Sequence, residues 1–172
     1  KGVIFCELGL GYIASGRYAE SQQMYANAIS NYADSVGKSA YHPANYLAAC
    51  VINRDFKMAE TVFKTYLEPK IQPSANRSLL FDIYSIAGWL YLNRRNTTEA
   101  FKWLNLLNQV RKNQVTLYGQ SVLRHLETTY YYLLGDDATT ARLVKRNLKF
   151  LNRQSVTFNY HKAYIDIIGK LL

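Results

Sequence analysis

The stretch FCELGLGYIASGRYAESQQMYANA, Phe5 to Ala28, decides the fold. Apolar or small residues fall at Phe5, Leu8, Gly9 and Tyr12 and again at Ser21, Tyr25 and Ala28, spacings of three and four that align each set on one face of a helix. Between them Ser15-Gly16-Arg17 stops one helix and starts the next. The arrangement is a helical hairpin whose two apolar faces meet.

The same arrangement returns along the chain, and a period of this size governs everything else. The small residue that opens each second helix aligns as Ser21, Ala59, Ala100 and Ala141, spaced 38, 41 and 41 residues apart. Nine residues earlier stand Tyr12, Cys50, Tyr91 and Tyr132, and four residues later stand Tyr25, Phe63, Leu104 and Lys145. Turn residues divide each unit, at Ser15-Gly16-Arg17, Asn53-Arg54-Asp55, Asn93 to Asn96 and Gly135-Asp136-Asp137. Asn96 followed by Glu99 resembles a capping box, in which the Asn oxygen takes an orphan backbone N–H and the Glu reaches back to the cap. Prolines occur at Pro43, Pro69 and Pro73 only, and strand-like alternation is absent. The pattern predicts nine helices, at about 2–15, 18–35, 41–53, 56–67, 75–93, 97–111, 116–134, 137–152 and 155–171. They form units of about 2–37, 40–70, 75–112 and 115–153, with 155–171 unpaired as a cap over the last apolar face.

These residues resemble a known family. Phe5-x2-Leu8-Gly9-x2-Tyr12 with Ser21-x3-Tyr25-x2-Ala28 is similar to the tetratricopeptide pattern, and Tyr84-x2-Ala87-Gly88-x2-Tyr91 with Ala100-x3-Leu104-x2-Leu107 repeats it. The second and fourth units depart from it, with Leu47 and Thr129 at the small position and Lys145 at the late aromatic one. The period also exceeds the usual 34 residues of that family, which a longer second helix or connector absorbs. The stretch Val115 to Leu172 resembles the ends of bacterial tetratricopeptide proteins, a likeness that carries no activity. The resemblance implies an all-α right-handed solenoid of about four helix pairs plus a C-terminal capping helix, forming one repeat domain over 1–172.

Composition bounds the function classes. The chain has 172 residues with 49% hydrophobic and 19% charged, and a mean hydropathy of −0.20. A chain of this length buries enough surface to fold without disulfide or metal staples, and no apolar run reaches the length of a membrane span. Two cysteines, Cys6 and Cys50, lie within apolar helical patterns, which suits buried thiols in a reducing, cytoplasmic setting. The chain opens at Lys1 without a charged-then-apolar leader, and we read it as a trimmed piece of a longer protein.

Chemical motifs are sparse. Gly11-x4-Gly16-Arg17-Tyr18 superficially resembles a phosphate loop, yet arginine and tyrosine stand where lysine and a small hydroxyl are needed and no strand precedes it. His42, His125 and His161 stand alone, without a second histidine or a cysteine at ligand spacing, so no metal and no cofactor is expected. Asp136 and Asp137 read as helix cap and dipole partner. Asn76-Arg77-Ser78 and Asn96-Thr97-Thr98 match the glycosylation pattern, which is idle in a reducing cell. The chain is expected not to be an enzyme.

Two surfaces remain. In a solenoid of this kind the first helices line the groove, and their groove-side residues would be Tyr41, Ala44 and Ala48, Asp82, Ser85 and Trp89, and Leu126 and Tyr130, with Cys6, Leu10, Ile13 and Leu133 at the ends. Such an apolar and aromatic groove suits a peptide or amphipathic helix of another protein. The basic clamp with which some family members grip C-terminal carboxylates is missing. The other surface is electrostatic: residues 1–86 carry 8 Lys+Arg against 7 Asp+Glu, while residues 87–172 carry 13 against 5. Arg142, Lys145, Arg146, Lys149 and Arg153 share one arc of a helix with Val144, Leu148 and Leu151 opposite. That stripe could attract a phosphate backbone, making a nucleic-acid module the alternative to a protein scaffold.

Overall fold

The computed structural model describes residues 2–31, 41–110, 116–154 and 159–172. Among these the chain is all helical, with α1 (Gly2–Ala14), α2 (Tyr18–Asn31), α3 (Tyr41–Ile52), α4 (Phe56–Val62), α5 (Arg77–Asn93), α6 (Thr97–Val110), α7 (Leu117–Leu133), α8 (Asp137–Leu151) and α9 (Asn159–Leu171). A π-helical turn at Phe63–Leu67 and a 3-10 turn at Glu68–Lys70 extend α4. Pro69 within that 3-10 turn lacks the N–H that a continuing helix would need. The expected ends of the second and sixth helices, the start of the ninth, and the unit limits at 37, 40, 112 and 115 lie outside the described residues. No helix among the described residues is long and apolar enough to cross a membrane.

The four turns inside the pairs are one structure made four times. Gly16, Arg54, Arg95 and Gly135 all take the left-handed backbone, with φ of 74°, 59°, 55° and 72°. Each N–H bonds the carbonyl three residues back, at Ile13, Val51, Leu92 and Tyr132. The next N–H, of Arg17, Asp55, Asn96 or Asp136, reaches five residues back to Tyr12, Cys50, Tyr91 or Tyr131. This is the Schellman arrangement, which satisfies carbonyls that the ending helix would otherwise orphan. The residue that closes it then caps the next helix: Asp55 accepts from Met58 N at 3.1 Å, Asn96 from Glu99 N at 3.1 Å and Asp136 from Thr139 N at 3.0 Å. Arg17 holds that place in the first turn and pairs instead with Glu20. The reciprocal half of the expected capping box is not made, because Glu99 pairs with Lys102.

These turns correct the register of the fourth unit. Their spacing is 38, 41 and 40, so Thr140, not Ala141, is the small residue that opens α8. Thr140 is fully buried and Ala141 is exposed. Tyr131 and Val144 accordingly replace Tyr132 and Lys145 as partners of Tyr12 and Tyr25. The alanine misled because it is the smaller side chain, whereas Thr140 fits by turning its hydroxyl onto the Asp136 carbonyl at 2.7 Å.

The chain divides into two compact units, Lys1–Ile86 and Ala87–Leu172. In the first, α1 packs on α2, α2 on α3 and α3 on α4. Gly9 lies so close to α2 that a methyl group there would meet the Tyr25 ring at 2.8 Å, and Ser21 Oγ donates to the Gly9 carbonyl at 2.9 Å. The core continues through the fully buried Leu47, Phe63 and Leu67. In the second, α7, α8 and α9 pack mutually. Leu104 and Leu126 lie at ordinary contact distance from the place a methyl group on Gly88 would take.

Candidate functional site

The first seam to consider joins consecutive first helices. In unit 1, Cys6 Sγ of α1 lies 3.1 Å from His42 Nδ1 of α3. In unit 2, His125 Nδ1 of α7 lies 3.1 Å from His161 Nδ1 of α9. Both pairs are 36 residues apart, and the turn register makes Cys6 and His125 equivalent positions. The two contacts are therefore the same joint at two places in the repeat. The histidines that stood alone in sequence are brought together by helix packing.

Burial decides what these groups do. His125 and His161 are both buried, with the Tyr164 ring 4.2 Å from His125 and the Tyr118 ring 5.7 Å from His161. Desolvation, then the neighbouring His161, pushes His125 down to about 3, and desolvation lowers His161 as well. The pair is neutral at pH 7, and one imidazole N–H donates to the other's lone pair. Cys6 is raised by burial and by Glu7, and Cys50 is pushed up to about 12 by burial and by Asp55. Both thiols stay protonated, whereas a nucleophilic cysteine needs its thiolate. No group of three or more histidines, cysteines or carboxylates that could hold a metal is found among the described residues.

Behind the histidine pair lies a polar network. Asn147, fully buried on α8, accepts from Arg124 Nη1 at 2.8 Å and from Arg146 Nε at 3.2 Å, and donates to Thr128 Oγ1 at 3.0 Å. Arg146 reaches on to Glu127 at 2.9 Å, and the Arg124 guanidinium sits 4.0 Å from the centre of the Phe150 ring. The buried face of α8 is thus Thr140, Leu143, Asn147 and Leu151, with Val144 and Leu148 only half-buried.

The basic stripe keeps its exposure. Arg142, Lys145, Arg146, Lys149 and Arg153 are all exposed, and Arg153 lies in the turn beyond α8. Arg146 is engaged as described and Arg142 lies near Asp136, whose carboxyl is held low chiefly by the Thr139 N–H. Lys145 and Lys149 make no ion pair among the described residues.

The groove candidates separate. Tyr41 belongs to α3, and its side chain is outside the described residues. Ala44 and Ala48 are half-buried on α3, Asp82 is exposed, and Ser85 is half-buried with its Oγ buried and unbonded among the described residues. Trp89 is half-buried on α5 and Leu126 is buried near Gly88. Tyr130 stacks on Phe101 of α6 with ring centres 5.8 Å apart, and meets Tyr131 edge-on at 5.3 Å. In the turn register the counterparts of Ser85 and Trp89 on α7 are His125 and Thr129, both buried. Aligning the left-handed turn residues rather than the small ones would have shown this from the sequence.

Phe101 and Tyr130 together form an aromatic surface: Phe101 is 48% exposed and Tyr130 half-buried. Phe101 gave no signal in the repeat pattern because it stands one residue beyond the packed Ala100. No protein-family model, curated protein or solved structure gives a significant match to the chain.

Proposed function

We propose that the chain is a non-enzymatic helical-repeat scaffold, a right-handed solenoid of the tetratricopeptide kind, that docks an apolar or amphipathic segment of another protein. The observation that carries this reading is the exposed stack of Phe101 on Tyr130, with Tyr131 against its edge. Aromatic rings held rigid by one another offer large contact area at little cost in side-chain entropy, and such residues anchor interfaces. Burial and Tyr131 raise the Tyr130 hydroxyl above its ordinary value, so it meets a partner as a neutral donor. Trp89 is a second, half-buried candidate anchor in the same unit.

The test is a peptide array of apolar and amphipathic segments, followed by affinity measurement with Phe101→Ala, Tyr130→Ala and Trp89→Ala. Loss of tenfold or more with the first two supports the reading, and unchanged affinity removes it.

The exposed Lys145 and Lys149 favour a second reading, a nucleic-acid module working through the α8 stripe. Phosphate contacts release counterions, so binding would fall steeply from low to physiological salt. The change Lys145→Glu with Lys149→Glu would abolish it while Tyr130→Ala would not.

A further inference from the structure

Helix α9 packs on α7 and α8 and is pinned to them at two places. Near its start His161 meets His125 of α7, Nδ1 to Nδ1 at 3.1 Å. Two turns further along, Val144 of α8 lies so near Gly169 that a methyl group there would meet it at 2.8 Å. Between the pins Ile165 and Ile168 are buried, while Lys162, Ile167 and Lys170 are exposed. α9 therefore turns one apolar face to its unit, and the first of its two pins is titratable.

A hydrogen bond between two imidazoles needs one N–H and one lone pair, so charging both rings sets two N–H groups against each other. Charging one keeps the bond but buries a cation, which is costly away from water. Burial lowers both imidazoles, and His161 lowers His125 further. Among the described residues the titratable groups that face the pair are phenols: Tyr118, and Tyr164, which burial and Tyr132 raise. The charged groups of the three helices are placed otherwise. Arg124 of α7 bonds Asn147 and lies over Phe150, Glu127 pairs with Arg146 of α8, and Asp166 of α9 pairs with Lys170 at 2.7 Å. Asp136 caps α8, and Asp137, Arg142, Lys145, Lys149 and Lys162 are exposed.

We propose that the His125–His161 joint makes α9 an acid-released cover of α7 and α8. Docked, α9 keeps both imidazoles from water; released, both rings meet water and take up protons near the ordinary value of about 6.5. Proton uptake by the released form draws the equilibrium toward release as pH falls. Between pH 7.5 and 5.5 the pull is about tenfold for each histidine that is neutral when docked. The second pin, Gly169 against Val144, and the buried isoleucines do not titrate, so they hold alike at every pH. The equivalent joint of the first unit, Cys6 with His42, contains a single imidazole. The inference goes beyond the docking of a partner segment and does not rest on it.

Amide hydrogen exchange of the whole chain, corrected for the intrinsic effect of pH on exchange, reads the opening of each helix. We expect the protection of α9 to fall at least tenfold between pH 7.5 and 5.5, and at pH 5.5 to lie at least tenfold below that of α7 and α8. His125→Cys, which gives the joint the chemistry of the first unit, should take about tenfold from the fall. A smaller fall in the parent chain overturns the proposal. Equal protection in α7, α8 and α9 at pH 5.5 does so too, because α9 would then open only with its whole unit. So does a fall that His125→Cys leaves undiminished, since other groups would be titrating. The first two outcomes are read on the parent chain, so the proposal stays falsifiable if the variant fails to fold.

Discussion

Lys1–Ile86 and Ala87–Leu172 make their helix pairs with the same turn and hold them together by different means. In the first unit the closest approach is steric: Gly9 lies under the Tyr25 ring, and one hydroxyl, Ser21, ties the backbone. In the second the seams are polar, with Asn147, Thr128 and Arg124 bonded in the interior and two neutral imidazoles meeting through their Nδ1 atoms. The joint that is Cys6 with His42 in one unit is His125 with His161 in the other. A repeat therefore conserves the geometry of its turns while leaving the chemistry of its interfaces open. The first unit's buried seam is vulnerable to volume, whereas the second adds a vulnerability to charge to its own close approach of Val144 to Gly169.

The largest expected effect breaks the polar side of that contrast. Asn147→Ala strips partners from Arg124 and Thr128 inside the protein, and should cost about 3 kcal/mol in chemical denaturation. A loss below about 1 kcal/mol would mean that water or rearrangement replaces the network.

Next comes pH. An unfolded histidine binds its proton near pH 6.5, whereas folded His125 resists until about 3, so the unfolded chain holds more protons and stability falls as pH drops. The loss begins below about 6.5 and should reach about 1.4 kcal/mol for each further pH unit, added to by His161 in the same direction. Thermal midpoints measured between pH 7 and 5 read this before the carboxylates titrate. His125→Cys, which rebuilds the joint of the first unit, should flatten the slope. A midpoint indifferent to pH in that window would show that the pair is not neutral and bonded.

The steric side is tested by Gly9→Ala against Gly88→Ala. The first must displace a fully buried tyrosine ring and should cost about 1–3 kcal/mol. The second meets Leu104 only at 3.6 Å and gains helix propensity, so it should stay within about 1 kcal/mol of the parent, on the stabilising side. Equal losses in urea midpoints would erase the distinction. Smallest is Arg54→Gly or Arg95→Gly, which relieves a left-handed residue and should add up to about 1 kcal/mol. Gly16→Ala and Gly135→Ala should lose about as much.

The helix pairs and their turns were legible because they rest on local rules: three- and four-residue spacing, and Gly, Asn and Asp where a helix must end. In the fourth unit the small Ala141 stands one residue beyond the place the turn defines and draws the register with it. That single residue moved the groove positions from His125 and Thr129 to Leu126 and Tyr130. The histidine pair itself was hidden for a different reason. Which residues of α7 and α9 meet depends on the connector between α8 and α9 and on how the helices pack, neither of which periodicity encodes. Asn147 gives no signal because a polar residue amid Arg146, Lys149 and Lys145 reads as surface, and only its partners on α7 explain its burial.

The π-helical turn at Phe63–Leu67 can be seen as a record of added length. The four pair turns are alike, so differences in unit size must be taken up between the turns, and the longest stretch, from Arg54 to Arg95, is the one containing the π turn. A π turn closes its hydrogen bond over one more residue than an α turn does. It holds a single insertion without unwinding the helix, and Phe63 and Leu67 remain fully buried around it. Deleting exposed Lys64 or Thr65 would return the turn to ordinary α-helix, so this segment is where the chain has room to lose a residue and keep its fold.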